Sequence, residues 1–250
     1  MQKYFSKIIM KKIKTARQCS RVPVIGFVFL LFFMCAAYAQ SVDQLKALAQ
    51  GKRVTAKRIS TSVTLDGKVT RAEWGNAERI DVFWVIKTDK ILQKNTRAYL
   101  LYDSDNLYIG MSCFEADTAK LKTSATGRDG KVWEDDGVEI FIAENGSTAP
   151  LFQFIVSARN ALFDGKNTGG KLDMGWNGGI QSAAQVFSDG YGVEVIIPFS
   201  DISSSPPRSG STWKIKLCRN DKINVSHNSW PVTWAGYISD PPYWGDLIFE

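Results

Sequence analysis

The chain has 250 residues, with 31 Lys and Arg against 25 Asp and Glu and a formal charge of +6. Seven of the basic residues and none of the acids lie in the first 39 positions. The remainder therefore carries 24 against 25 and offers no basic field for a nucleic acid. His227 is the one histidine, so a Ser-His-Asp triad or a multi-histidine zinc site lacks its parts unless carboxylates substitute.

At the start, Lys3, Lys7, Lys11, Lys12, Lys14, Arg17 and Arg21 precede the apolar run from Val22 to Met34, which leads into Ala37-Tyr38-Ala39. Basic region, apolar core and small-x-small site, in that order, predict a cleaved signal peptide over residues 1–39 and a secreted or periplasmic product. The apolar run is short for a membrane span and no later stretch is long enough, so no membrane span is expected. Cys35 follows Phe32-Phe33-Met34, which lacks the small residues of a lipoprotein signal, and release is preferred to lipid anchoring. The 211 residues that follow position 39 suit one well-cored domain.

Residues 40–57 read as a short helix or linker, with Leu45 and Leu48 on one side and Gly51 as a stop. Strand signals then begin, with Ile59, Thr61, Val63 and Leu65 alternating up to Asp66-Gly67. Thr70 and Glu73 have capping-box spacing, which predicts one helical turn burying Trp74. Arg97 to Tyr102 and Leu107 to Met111 flank the turn formers Asp103-Ser104-Asp105-Asn106 and make a hairpin. Further strands are expected at 138–143, 152–157, 181–186, 192–197, 213–218 and 247–250, separated by Gly- and Pro-containing turns. Many short strands without long amphipathic helices favour an all-β, antiparallel two-sheet β-sandwich of jelly-roll or immunoglobulin-like type over residues 58–250. Alternation puts Cys113 with Ile109 and Met111 but Cys218 with Lys214 and Lys216. These opposed settings weigh against a disulfide, which parity alone leaves open.

The stretch Trp133-Glu134-Asp135-Asp136-Gly137-Val138-Glu139-Ile140-Phe141-Ile142 sets four acids just ahead of and within an apolar strand. Together with Leu65-Asp66-Gly67, Glu73-Trp74, the hairpin, Gln153-Phe154, Val193 to Phe199, Gly210 to Trp213, Arg219, Ser229-Trp230 and Trp244-Gly245-Asp246-Leu247, it resembles the family 9 carbohydrate-binding modules. The resemblance runs in order from about residue 58 to the end. It implies a noncatalytic sandwich that stacks a sugar unit of a poly- or oligosaccharide such as xylan or cellulose between aromatic rings. It also implies a structural calcium ion, no organic cofactor, and a glycoside hydrolase on a separate chain as a partner.

Residue by residue, the resemblance puts a stacking tryptophan at Trp133 and a sugar-bonding acid at Glu139, with Gln153 on the next strand. The second stacking tryptophan falls on Ile238, where Trp234 or Tyr237 is placed to replace it. A family Arg and Asn fall on Ile155 and Ser157, which departs from the pattern. Asp135 and Asp136 are candidate calcium ligands, with turn capping or acceptance of backbone donors as the alternative, preferred for Asp136. Alternation puts Val138, Ile140 and Ile142 on one face and Glu139 and Phe141 on the other. Glu194 is read as a strand-face charge paired with Arg219. Two other functions compete: a haem-binding electron-transfer domain pairing His227 with Met111 or Met174, and a partner-binding sandwich whose sugar cleft has decayed.

Overall fold

Alternation of apolar and polar residues builds most of the molecule. In the computed structural model the described residues are 52–88, 90–144, 150–233 and 243–250. The expected signal peptide, most of the expected linker, Trp234, Tyr237 and Ile238 lie outside them. The elements are β1 (Arg53–Arg58), α1 (Arg71–Trp74), β2 (Arg79–Val85), β3 (Ile91–Tyr102), β4 (Asn106–Phe114), β5 (Gly137–Ala143), β6 (Leu151–Ser157) and β7 (Leu162–Thr168). They continue with β8 (Lys171–Asp173), β9 (Gln181–Phe187), β10 (Gly190–Pro198), α2 (Phe199–Ile202), β11 (Thr212–Asp221), β12 (Ser226–Trp230) and β13 (Gly245–Phe249). No helix among the described residues is long and apolar enough to cross a membrane.

The strands run β8-β7-β6-β5-β11-β12-β2-β3-β4-β10-β9 in space, which makes two half-sheets joined at the β12–β2 pair. A second link forms because β11 shares its free edge between β12 and β13, and β13 runs on to β1 and then β3. The double link folds the halves over one core, sandwich-like. Val138, Ile140, Ile142, Phe154, Val156, Ile215 and Leu217 come from one half and Leu100, Ile109, Met111, Val193, Val195 and Ile197 from the other. Each is essentially removed from water, and burial of a side chain of that size contributes roughly 1.5 to 3 kcal/mol.

All-β architecture agrees with the strand pattern, but the strands are not wholly antiparallel: β1 is parallel to both β13 and β3. This strand also occupies residues expected to be linker, so the folded unit starts ahead of residue 58. Conversely, the alternating 59–65 stretch forms no regular strand. Its apolar positions serve instead as a cover, with Ile59 and Val63 packed on Leu101, Tyr108 and Trp74. The remaining strands lie where alternation puts them to within a few residues, except that β3 begins six residues ahead of Arg97, and β2, β7, β8 and β12 carry weaker patterns and add to the expected set.

Trp74 is buried at the end of α1, as its spacing implied. The reciprocal capping box does not form: Thr70 Oγ1 donates to Glu73 Oε2 over 3.2 Å, and Glu73 Oε1 accepts from the Thr64 amide. The ring lies flat on Gly110, where a Cβ would stand 2.7 Å from the indole. Its Nε1–H donates to Glu194 Oε1 at 3.0 Å, and Glu194 Oε2 accepts from the amides of Asp66 and Gly67. Glu194 is therefore not paired with Arg219. The two lie in different half-sheets, and β10 turns Tyr191, three residues away on its inner face, toward the guanidinium at 5.7 Å. Arg219 instead donates to the Phe114 carbonyl and lies 3.4 to 3.5 Å from the carboxylates of Glu115 and Asp221.

Candidate functional site

The site lies on the outer face of the half-sheet β8 to β12. Antiparallel partners share a face, so the register Glu139↔Ile155↔Phe163 on one side and Glu139↔Cys218↔Ser229 on the other lays out its floor. Two covers sit on that floor. Val132 and Ala125 pack over Ile155 and Phe163, and Trp244 packs on Phe141, Ala143 and Cys218. Glu139 and Gln153 lie between them.

The adjacent acids explain how the first cover is held. Asp135 accepts from the amide and hydroxyl of Ser124 and from the amide of Ala125, at 2.7 to 3.0 Å. Asp136 accepts from the amides of Lys122 and Lys222 at 2.8 and 2.7 Å. Both residues are fully buried. Burial pushes the Asp136 carboxyl above its ordinary range, opposed by those two amides. They tie the loop between β4 and β5 back onto the start of β5. Each of the four carboxylate oxygens accepts at least one backbone N–H, so both acids, expected as candidate calcium ligands, serve as loop anchors, the alternative preferred for Asp136. Glu134 turns to solvent, 3.9 Å from Lys122 and 3.6 Å from Lys131.

The anchored loop carries Trp133 on a 3-10 turn, residues Val132–Glu134. Its ring meets Phe163 edge-on at 5.6 Å and is 37% exposed. Phe163 and Glu139 are two strands apart on the same face, roughly 10 Å. Trp133, Glu139 and Gln153 thus share one surface. Gln153 Nε2 donates to Glu139 Oε1 at 2.6 Å. A pocket of about 300 Å³ opens beside this pair, with Glu139, Gln153 and Asn167 as its polar lining and Phe141, Leu151 and Leu172 as its apolar one. Gly165, directly across from Gln153, keeps the floor low; a Cβ there would stand 3.0 Å from Leu172 Cδ1.

Ile155 and Ser157, the departures from the pattern, are buried and structural. Ile155 lies under Val132, and Ser157 Oγ accepts from the Ala161 amide at 2.9 Å. Sequence reasoning did not place Phe141, Asn167 or Leu172 at the site, because β7 and β8 have little alternation of their own. His227 is a haem-ligand candidate in the competing reading. It is brought to this same face, 3.3 Å from Glu139 Oε2. Met111 lies in the core between the half-sheets, so it cannot share a haem with His227. Met174 follows β8, which is separated from β12 by four intervening strands in the sheet order. The core position of Cys113 and the outer-face position of Cys218 also leave both thiols free.

A larger groove of about 640 Å³ lies on the other half-sheet, lined in part by Arg71, Arg79, Arg97 and Tyr99. Two of its cations are engaged, Arg79 with Asp81 at 2.8 Å and Arg97 over the Phe114 ring at 4.8 Å. Size alone favours it, but paired acceptor and donor groups beside an exposed aromatic favour the Glu139 surface for a neutral polyhydroxylated ligand.

The family model described as "Carbohydrate family 9 binding domain-like" matches residues 65–250. The chain belongs to this family. The family 9 fold also appears in solved structures. A protein of Bacteroides uniformis proposed to bind carbohydrate is 17% identical, covering 80% of this chain and 100% of its own, with a TM-score of 0.66. A family 9 module of Caldicellulosiruptor kristjanssonii, solved with cellotriose, is 20% identical over 79% of this chain and 93% of its own, with a TM-score of 0.59. Its complex with glucose gives 21%, 79%, 95% and 0.56. At these identities the likeness is one of fold. No curated protein matches.

Proposed function

We propose that this family 9 domain is a secreted, noncatalytic carbohydrate-binding module that takes a sugar unit of a poly- or oligosaccharide, of the cellulose or xylan class, on the Glu139 surface. The observation that carries the reading is the Glu139–Gln153 pair at 2.6 Å, set in a pocket on the face that also presents Trp133. Trp133 supplies a partly exposed apolar ring for a pyranose face, and the carboxylate and amide supply acceptors and donors for hydroxyls. The complexes of the Caldicellulosiruptor module with cellotriose and glucose support this ligand class.

A binding role suits the distribution of acids. A glycosidase sets two carboxyl groups about a scissile bond, roughly 5 to 10 Å apart. Here Glu134 faces solvent, Asp135 and Asp136 are locked into loop anchors, and Glu139 stands apart from them on the pocket floor. The basic, apolar and small-residue order of positions 1–39 supports export. A separate glycoside hydrolase is the natural partner for such a module.

Calorimetry or affinity electrophoresis against a panel of soluble glucans, xylans and their oligosaccharides tests the reading. Saturable binding that weakens by about tenfold or more on Glu139→Gln is expected. A folded protein that binds none of the panel would overturn it and favour the partner-binding alternative.

A further inference from the structure

Three ligating side chains of different chemistry converge beside the sugar pocket, from three adjacent strands. Glu139 of β5 is directly opposite Cys218 of β11, and His227 of β12 is one pleat diagonal to Cys218. One donor atom from each lies within 4.8 Å of the others. His227 Nε2 stands 3.3 Å from Glu139 Oε2, yet it is buried without an aligned hydrogen bond. The distance is short enough for an ion pair, but the geometry leaves the nitrogen unsatisfied, and an unpaired buried polar atom of this kind calls for a partner. Glu139 Oε1 is held by Gln153, which fixes the carboxylate and leaves Oε2 turned to the histidine.

We infer that Glu139, Cys218 and His227 form a binding site for one divalent transition metal of the zinc class. Ligand bonds of 2.0 to 2.3 Å in a tetrahedral zinc site put donor atoms roughly 3.5 Å apart, so rotations that draw the group in by about 1 Å close it. A thiolate and an imidazole select zinc-like ions over calcium or magnesium. On binding, the Cys218 thiol loses its proton to solvent. Thiolate and carboxylate then balance the 2+ charge, the neutral imidazole gives its lone pair, and water completes the fourth position. Gln153 acts behind the ligands, orienting the carboxylate as outer partners in metal sites do. Lys216, on the same face of β11, has its ammonium occupied, donating to the Pro231 carbonyl, the Thr233 hydroxyl and the Tyr243 carbonyl. The inference does not rest on sugar binding, since only the carboxylate is shared.

The test is titration of the untagged, reduced full chain with Co²⁺ and then Zn²⁺, followed by visible absorption and metal analysis after buffer exchange. One ion per chain is expected, with a thiolate-to-cobalt charge-transfer band that zinc displaces. Cys218→Ser should abolish the band while Cys113→Ser keeps it. His227→Ala, at a partly exposed position, should weaken binding by about tenfold or more without loss of fold. No retained metal, or binding equal to wild type in either the Cys218 or the His227 variant, overturns the site. Glycan binding measured after chelation reads the sugar reading separately, so either can fail alone.

Discussion

Gln153 donates its side-chain amide to Glu139 Oε1 over 2.6 Å, a contact between adjacent strands that turns an isolated acid into a positioned acceptor. The carboxylate has Oε1 committed to Gln153 and Oε2 turned to His227 Nε2 at 3.3 Å, on a floor bounded by Val132 on one side and Trp244 on the other. Glu139→Gln preserves the shape but exchanges a charged acceptor for a neutral one. Since hydrogen bonds to charged groups contribute roughly 1.5 to 3 kcal/mol, affinity for a bound oligosaccharide should fall about tenfold or more. Calorimetry beside a thermal melt checks this, with little change expected in the melt.

Trp133→Ala separates a ligand platform from a packing residue. The ring is 37% exposed and meets Phe163 edge-on. Such a pair contributes roughly 0.5 to 1.5 kcal/mol beyond the area it buries. Stability should therefore drop modestly while glycan binding is largely lost. Binding that survives a large drop in melting temperature would reassign Trp133 to the core.

Asp135→Ala should behave in the opposite manner. It leaves the Ser124 amide, the Ser124 hydroxyl and the Ala125 amide without their acceptor and releases the loop that carries Trp133. A cost of roughly 3 kcal/mol is expected. At the usual 2 to 4 °C per kcal/mol for a domain of this size, the melting temperature should fall by about 10 °C. Glu134→Ala, one residue earlier but solvent-facing, should change stability by no more than about 0.5 kcal/mol. Differential scanning calorimetry of the two variants side by side decides it.

Lys216 gives a dependence on pH with a definite sign. Burial brings its ammonium down from the ordinary lysine value of 10.5 to about 8. Below about pH 8 the folded and unfolded chains both hold the proton, and the buried charge is a standing cost. Between about 8 and 10.5 the folded chain has released it and the unfolded chain has not, so this residue adds stability as pH rises, by up to roughly 3 kcal/mol. Cys218 acts in the reverse sense, since burial and then the Glu139 carboxylate push its thiol up. Comparison with Lys216→Met removes that common background. From pH about 7.5 to about 9.5, wild type should gain melting temperature relative to the variant. Parallel curves would show that the lysine titrates normally.

Local pattern by itself determined the all-β class, the hairpin about Asp103, the buried Trp74, the inward Val138-Ile140-Ile142 face and the outward Glu139. These follow from the two-residue period of a strand and from turn chemistry, both of which act over a few residues. The opposed settings of Cys113 and Cys218 were legible for the same reason. Strand pairing across long separations was not. The parallel placing of β1, the choice of Trp74 and two loop amides as partners of Glu194, and the approach of His227 and Cys218 to Glu139 join residues up to 193 apart in the chain. Nor could pattern tell that Asp135 and Asp136 spend their oxygens on backbone amides, because those donors come from loops with no periodicity. Alternation chose which face each residue took; only closure of the folded sheet over its core decided which residues met there.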